Sequence, residues 1–253
     1  MKETNYYYIC FQPRSGSTYL SEVLNNPEKN IVNSFELITR DASLQLSLTS
    51  LEELSLQGFS AALKKDVVDR YFKSTRETKK AGFKFSNYQI ADDVPGFMQH
   101  MIHTGAKGIY LYRENIVETA ISQIWSLRRS LSGHLPCIVD NEKADDEQLK
   151  VDEEIFEYYL FDSYMQREMV KCLQRIPAQD RSMLISYEEL LSEATGNEAV
   201  LNICKFLGID SSDLAANRQK KRAKSSYGSV EDTDMLMKWI AKAKQYRFMD
   251  EHY

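Results

Sequence analysis

Tyr6-Tyr7-Tyr8-Ile9-Cys10-Phe11-Gln12-Pro13-Arg14-Ser15-Gly16-Ser17-Thr18-Tyr19-Leu20 is the stretch whose pattern decides the fold. Tyr6, Tyr7, Tyr8, Ile9 and Phe11 favour a pleated, buried segment, and Pro13 and Gly16 interrupt it. Leu20, Val23 and Leu24 then recur at helical spacing. A strand, a tight turn and a helix are therefore predicted. Ser15, Ser17 and Thr18 supply hydroxyls at the turn. The first N–H groups of the helix lack internal partners there, and the helix dipole is positive. Such a junction suits an anion. The planar fork of Arg14 can hold two oxygens of one phosphate or sulfate group. A plain strand-to-helix turn carrying a surface arginine is the alternative.

A nucleoside-triphosphate P-loop needs Gly, four residues, Gly, Lys and then Ser or Thr. Here Ser17 follows Gly16 directly, no lysine stands between them, and the cation precedes the glycine by two positions. The expected guest is a phosphate ester bound by a P-loop-like turn.

The chain has 253 residues, 43% of them hydrophobic, which is enough for one α/β domain with insertions. A formal net charge of -5 argues against general nucleic-acid binding. Cys10, Cys137, Cys172 and Cys204 form no Cys-x-x-Cys pair and read as reduced core thiols. The N-terminus has neither a charged leader nor a long apolar run, so a cytoplasmic protein with no membrane span is expected.

Outward from the first motif, Leu51, Leu54, Phe59, Leu63, Val67 and Tyr71 suggest an inserted helical cap over 37–80. Gly82–Phe85, Gly108–Tyr112 and Met183–Tyr187 read as further strands, with a helix through Phe97, Met101 and Ile102 and another from Ala199 to Leu207. Strands alternating with helices imply a largely parallel central sheet flanked by helices. Residues 130–150 read as an exposed, flexible loop. Val151, Ile155, Tyr158, Tyr159, Asp162 and Met165 are expected to form the core face of a long helix reaching about Leu173.

Arg113 follows the third of these strands, at a carboxyl end where open sheets bind ligands, and Ser122 lies nine residues on. With a helix starting near Asn115, Ser122 falls about two turns in and could face Arg113 across a phosphate. A helix-capping cluster with a salt bridge is the alternative reading.

The Pro13–Thr18 loop with the Arg113-to-Ser122 element resembles the nucleotide-dependent sulfotransferases, and is most similar to bacterial trehalose 2-sulfotransferase-like proteins. Ser186-Tyr187-Glu188-Glu189-Leu190 ahead of Ile203–Gly208 resembles a further segment of that family. The resemblance implies 3′-phosphoadenosine 5′-phosphosulfate as co-substrate. Its 5′-phosphosulfate would lie on Arg14, Ser15, Gly16, Ser17 and Thr18, and its 3′-phosphate on Arg113 and Ser122. Tyr19 stands where cytosolic relatives stack adenine on a tryptophan, and Tyr187 where they place an adenine-contacting tyrosine, a core tyrosine being the alternative there. The resemblance covers residues 37–80 and 130–150 poorly.

Catalytic roles are likewise implied by resemblance. Glu36 stands where the trehalose-type family carries its proposed base, although the Gly-Glu-Pro run of those relatives is replaced by Val32-Asn33-Ser34. A mere helix-start acid is the alternative. Arg14 would hold the leaving phosphate, and Lys84 would touch the sulfuryl group or else snorkel at the surface. No histidine stands in Phe83–Phe85, where the cytosolic branch uses one, and His100, His103, His134 and His252 show no metal spacing. The scheme needs no metal.

The implied acceptor is a hydroxyl of a carbohydrate, glycolipid or small metabolite, and a homodimer is compatible with the sequence. The basic cluster Arg218, Lys220, Lys221, Arg222 and Lys224 reads as a solvated helix end or a contributor to the 3′-phosphate site. The competing functions are a P-loop kinase and a nucleotide-binding scaffold without turnover.

Overall fold

The computed structural model describes residues 5–45, 47–50, 53, 59–131, 152–192, 195–214, 230 and 233–250. The expected loop over 130–150, apart from its first two residues, and the basic cluster at 218–224 lie outside them, as do Cys137, His134 and His252. The chain divides into two compact units, Met1–Tyr112 with Met169–Lys221, and Arg113–Glu168 with Arg222–Tyr253.

The first unit is built on a five-stranded parallel sheet: β1 (Tyr6–Phe11), β2 (Ile31–Asn33), β3 (Lys80–Ser86), β4 (Lys107–Tyr112) and β5 (Ser182–Ser186), in the order β2-β3-β1-β4-β5. Four of these strands carry the aromatic and β-branched runs read from the sequence. The strand at Ile31–Asn33 was not among them, because three residues ending in asparagine give no periodic signal.

Side chains alternate across the sheet and divide between two cores. Tyr8, Cys10, Phe83, Phe85 and Tyr110 face one layer, with Leu63, Val67 and Phe72 of one helix, Phe97 and Met101 of the next, and Val170 and Leu173. Tyr7, Ile9, Phe11, Ile109, Leu111 and Ile185 face the other, with Leu20, Val23, Leu24, Val200, Ile203 and Leu207. The helices among the described residues are α1 (Ser17–Val23), α2 (Arg40–Gln45), α3 (Ala61–Ser74), α4 (Val94–Thr104), α5 (Ile116–Leu131), α6 (Glu153–Gln174), α7 (Tyr187–Leu191), α8 (Gly196–Leu207) and α9 (Thr233–Asp250). Within 37–80 the described helices are α2 and α3, and α3 buries Leu63, Val67, Val68, Tyr71 and Phe72.

Gly82 shows how tightly the sheet is filled. A Cβ there would lie 2.2 Å from Cζ of Tyr7, whose hydroxyl donates to the Leu24 carbonyl at 3.3 Å and accepts from Asn33 Nδ2 at 3.1 Å. Burial pushes the Tyr7 phenol well above its ordinary pKa, against the lowering effect of the Asn33 amide. Tyr7 is thus a neutral strut tying β1 to α1 and to the end of β2.

In the second unit, α5 buries Ile116, Val117, Ala120, Ile121 and Ile124 against Phe156 and Leu160 of α6 and Leu236 and Trp239 of α9. Phe156 and Trp239 stack at 3.5 Å between centroids. The face expected to be the core of α6 is corrected here: Ile155, Tyr158 and Met165 are 50%, 67% and 50% exposed. The buried face carries Phe156, Leu160, Ser163, Gln166, Arg167 and Val170. Arg167 donates to the Glu168 carboxylate at 2.8 Å and toward the Glu114 carbonyl at 3.5 Å. A helix that buries arginine, glutamine and serine defeats a reading by hydrophobic period. Cys172 is also exposed, whereas Cys10 and Cys204 are buried as expected. Among the described residues no helix is long and apolar enough to cross a membrane.

Candidate active site

The strand order places a topological switch at β1. The chain leaves β1 for β2 and β3 on one side and returns to β4 on the other. The crevice beyond the carboxyl end of such a strand is where open parallel sheets take ligands, and the Gln12–Thr18 turn leaves β1 at that end. Gln12 N–H bonds the Leu111 carbonyl at 2.9 Å and Ser15 N–H the Gln12 carbonyl at 3.2 Å. Arg14 and Gly16 then adopt left-handed conformations, with φ of 66° and 80°. A non-glycine residue held there costs on the order of 1 kcal/mol, a strain typical of ligand-holding turns. The α1 N-terminus has no side-chain cap.

Three features of this turn fit a phosphate ester. Ser15 is fully buried, and its hydroxyl lacks a hydrogen-bond partner among the described residues, a cost that an anionic oxygen would relieve. The Tyr187 ring packs on Gly16, so that a Cβ at Gly16 would lie 2.9 Å from Tyr187 Cδ2. Lys84, expected as either a sulfuryl contact or a surface lysine, has a side chain only 5% exposed. Its register opposite Ile9 puts it on the α1 face of the sheet. Its ammonium donates to Thr18 Oγ1 at 2.9 Å and Ser17 Oγ at 3.4 Å, and lies 5.1 Å from the Phe11 ring centroid. A buried ammonium costs several kcal/mol in lost hydration. These hydroxyls and the ring offset part of it.

Glu36 completes the group. Asn33 Oδ1 accepts from Phe35 N–H at 3.0 Å, Phe35 takes φ of 57°, and its carbonyl accepts from Lys84 N–H at 2.7 Å. That turn brings Glu36 Oε1 to 3.6 Å from Lys84 Nζ, while Gln89 Nε2 donates to Oε2 at 2.9 Å. The Glu36 side chain is 43% exposed, so the acid faces solvent and the cation lies beneath it. Sequence reasoning missed Gln89. The Ser86-Asn87-Tyr88-Gln89 capping box just past β3 was the available signal. Tyr19 is half-buried against the α1-side core.

The junction after β4 is described within the second unit. Asn115 Oδ1 accepts from Glu118 N–H at 3.1 Å, which caps the start of α5. Arg113, with a side chain 6% exposed, is ion-paired to Glu118, itself 15% exposed. Ser122 sits half-buried two turns into α5. The capping cluster with a salt bridge is the reading that these contacts show for Arg113.

Residues 8–250 match the family model described as "Sulfotransferase domain". The chain belongs to the sulfotransferase family. It is accordingly an enzyme of sulfuryl transfer, in a family that draws on 3′-phosphoadenosine 5′-phosphosulfate and acts on small-molecule acceptors. Its fold is similar to that of a sulfotransferase from Alicyclobacillus acidocaldarius, with a TM-score of 0.55 at 16% identity over 97% of this chain and 93% of that one. A sulfotransferase domain from the curacin biosynthetic pathway aligns over 98% of this chain and 97% of its own, at 13% identity and a TM-score of 0.49. No curated protein matches the chain in sequence. Among the described residues, no three of His, Cys, Asp and Glu gather as metal ligands.

Proposed function

We propose that this sulfotransferase passes a sulfuryl group to a hydroxyl of a carbohydrate, glycolipid or small metabolite, as a trehalose-type bacterial relative would. One observation carries the reading: the buried ammonium of Lys84 touches the hydroxyls of the β1–α1 turn and lies 3.6 Å from the solvent-facing carboxylate of Glu36. That is the order a transfer site requires, with an anion holder, a buried positive charge and then a base open to the acceptor.

The bound co-substrate would supply an activated sulfuryl group on its 5′-phosphate. Arg14, Ser15 and the main-chain N–H groups of Gly16, Ser17 and Thr18 would hold that end, and the resemblance assigns the 3′-phosphate to Arg113 and Ser122. Tyr187 and Tyr19 border the adenine. Lys84 and Arg14 meet the negative charge that builds on the departing oxygens. Glu36 takes the acceptor's hydroxyl proton. The exposed rings of Phe35 and Tyr88, 36% and 52% accessible, adjoin Glu36 and Gln89 in sequence and support a sugar-like acceptor with an apolar face. Buried thiols at Cys10 and Cys204 are consistent with a cytoplasmic setting.

The test is direct. Adenosine 3′,5′-bisphosphate should bind without magnesium and more tightly than ATP with magnesium, and labelled sulfate should move from the co-substrate to a carbohydrate or metabolite fraction. Preference for ATP would favour a kinase, and donor binding without transfer to any acceptor would favour a scaffold. Glu36→Gln should lower kcat by about 10²–10⁴-fold at unchanged donor affinity. Normal turnover in that variant removes the base assignment.

A further inference from the structure

We propose that Gln89 is a positioning residue that fixes the plane of the Glu36 carboxylate, a role that rests on Glu36 being the base. The hydrogen bonds determine which way the amide points. Ser86 N–H can only donate, and it reaches Gln89 Oε1 at 3.0 Å. The amide oxygen therefore faces Ser86, and the NH₂ group is left to donate to Glu36 Oε2 at 2.9 Å.

Ser86 is the last residue of β3, and Gln89 is the third residue of the 3₁₀ turn Asn87–Ile90 that follows it. The amide is thus anchored to the end of a fully buried strand. Glu36, by contrast, stands on a turn, with a side chain 43% exposed. Such a side chain has much rotamer freedom to lose. Tethering Oε2 to the sheet removes much of that freedom before the acceptor arrives. With Lys84 Nζ 3.6 Å from Oε1, each carboxylate oxygen has its own neighbour. The direction offered to an incoming hydroxyl is then defined in advance, the kind of preorganisation on which general-base efficiency depends.

The same glutamine caps the turn, so a purely structural role must be separated from positioning. Gln89→Glu does this. Ser-x-x-Glu is itself a capping box, so the acceptor for Ser86 N–H survives while the donor to Glu36 is removed. The variant also sets a second carboxylate against Glu36, and the pair then keeps a proton to higher pH. Lys84 is the cation facing Glu36, and it is unchanged.

The expected result is a melting temperature like the parent's at a pH where the pair keeps its proton and somewhat lower above it, an adenosine 3′,5′-bisphosphate affinity like the parent's, a kcat lowered about ten-fold or more, and an acid limb of the kcat–pH profile moved upward. Gln89→Met, which loses both the cap and the donor, should lower kcat and the melting temperature together. As a readout that does not need turnover, the side-chain ¹⁵NH₂ signal of Gln89 should move in Glu36→Gln, which replaces the carboxylate that it donates to. An unmoved kcat and pH profile in Gln89→Glu, with Glu36→Gln inactive, overturns the positioning role alone. Normal turnover in Glu36→Gln overturns the base assignment, and the positioning role with it.

Discussion

The junctions that follow β1 and β4 both carry an arginine just past the strand and a helix behind it, yet they meet their own electrostatics in opposite ways. After β1, the helix start has no side-chain cap, Arg14 and Gly16 sit in left-handed conformations, and the Ser15 hydroxyl is buried without a partner. After β4, Asn115 caps the helix and Glu118 pairs with Arg113. The first junction leaves the Ser15 hydroxyl unanswered among the described residues. The second answers its own charge from its first helical turn, so Arg113, proposed above for the 3′-phosphate, already serves a carboxylate. An arginine beyond a strand is therefore no measure of readiness, which depends on what the next few residues do.

The largest expected effect that sharpens this contrast is in the first junction. Lys84→Met removes the charge beneath the turn and should lower kcat by about 10²–10³-fold, the scale of losing one oriented contact to developing negative charge; steady-state kinetics with saturating donor would show it. Next comes the second junction. Arg113→Ala removes the ion pair to Glu118 at a largely shielded junction, at a cost of about 1.5–3 kcal/mol in denaturant unfolding. Arg113→Met with Glu118→Leu should recover most of that stability. Arg14→Ala should weaken adenosine 3′,5′-bisphosphate binding by about 1.5–3 kcal/mol with little change in melting. Equal stability losses in Arg14→Ala and Arg113→Ala would erase the distinction between the junctions.

Smaller effects follow. Gly16→Ala forces a side chain into a left-handed backbone and against the Tyr187 ring, and should cost about 1–3 kcal/mol of stability together with donor affinity. Asn115→Ala removes one helix cap and should cost about 1 kcal/mol in thermal unfolding without changing donor affinity. A loss of affinity there as large as in Gly16→Ala would mean that the capped junction is as directly engaged as the open one.

Much of this was legible in the sequence because it is local. Tyr6–Phe11, Gly82–Phe85 and Gly108–Tyr112 announce strands through short apolar runs bounded by breakers, and the Pro13–Thr18 turn announces itself through its residue types. What was hidden depends on tertiary placement. Nothing near Lys84 in sequence shows that its register opposite Ile9 would carry its ammonium to Thr18. Gln89 lies far along the chain from Glu36, and only the folded sheet joins them. The misread face of α6 has a different cause: Tyr158 and Met165 keep helical spacing, but buried Arg167 and Gln166 reverse the usual polarity, and an exposed apolar stripe has the same period as a core.

The ring of Tyr187 resting on Gly16 has a consequence for biosynthesis. The turn is synthesised well before the aromatic wall behind it, which arrives only just after β5. Until that segment emerges, a nascent chain carries the turn without the ring that backs it, so the two close on each other only after all five strands of the sheet have been made.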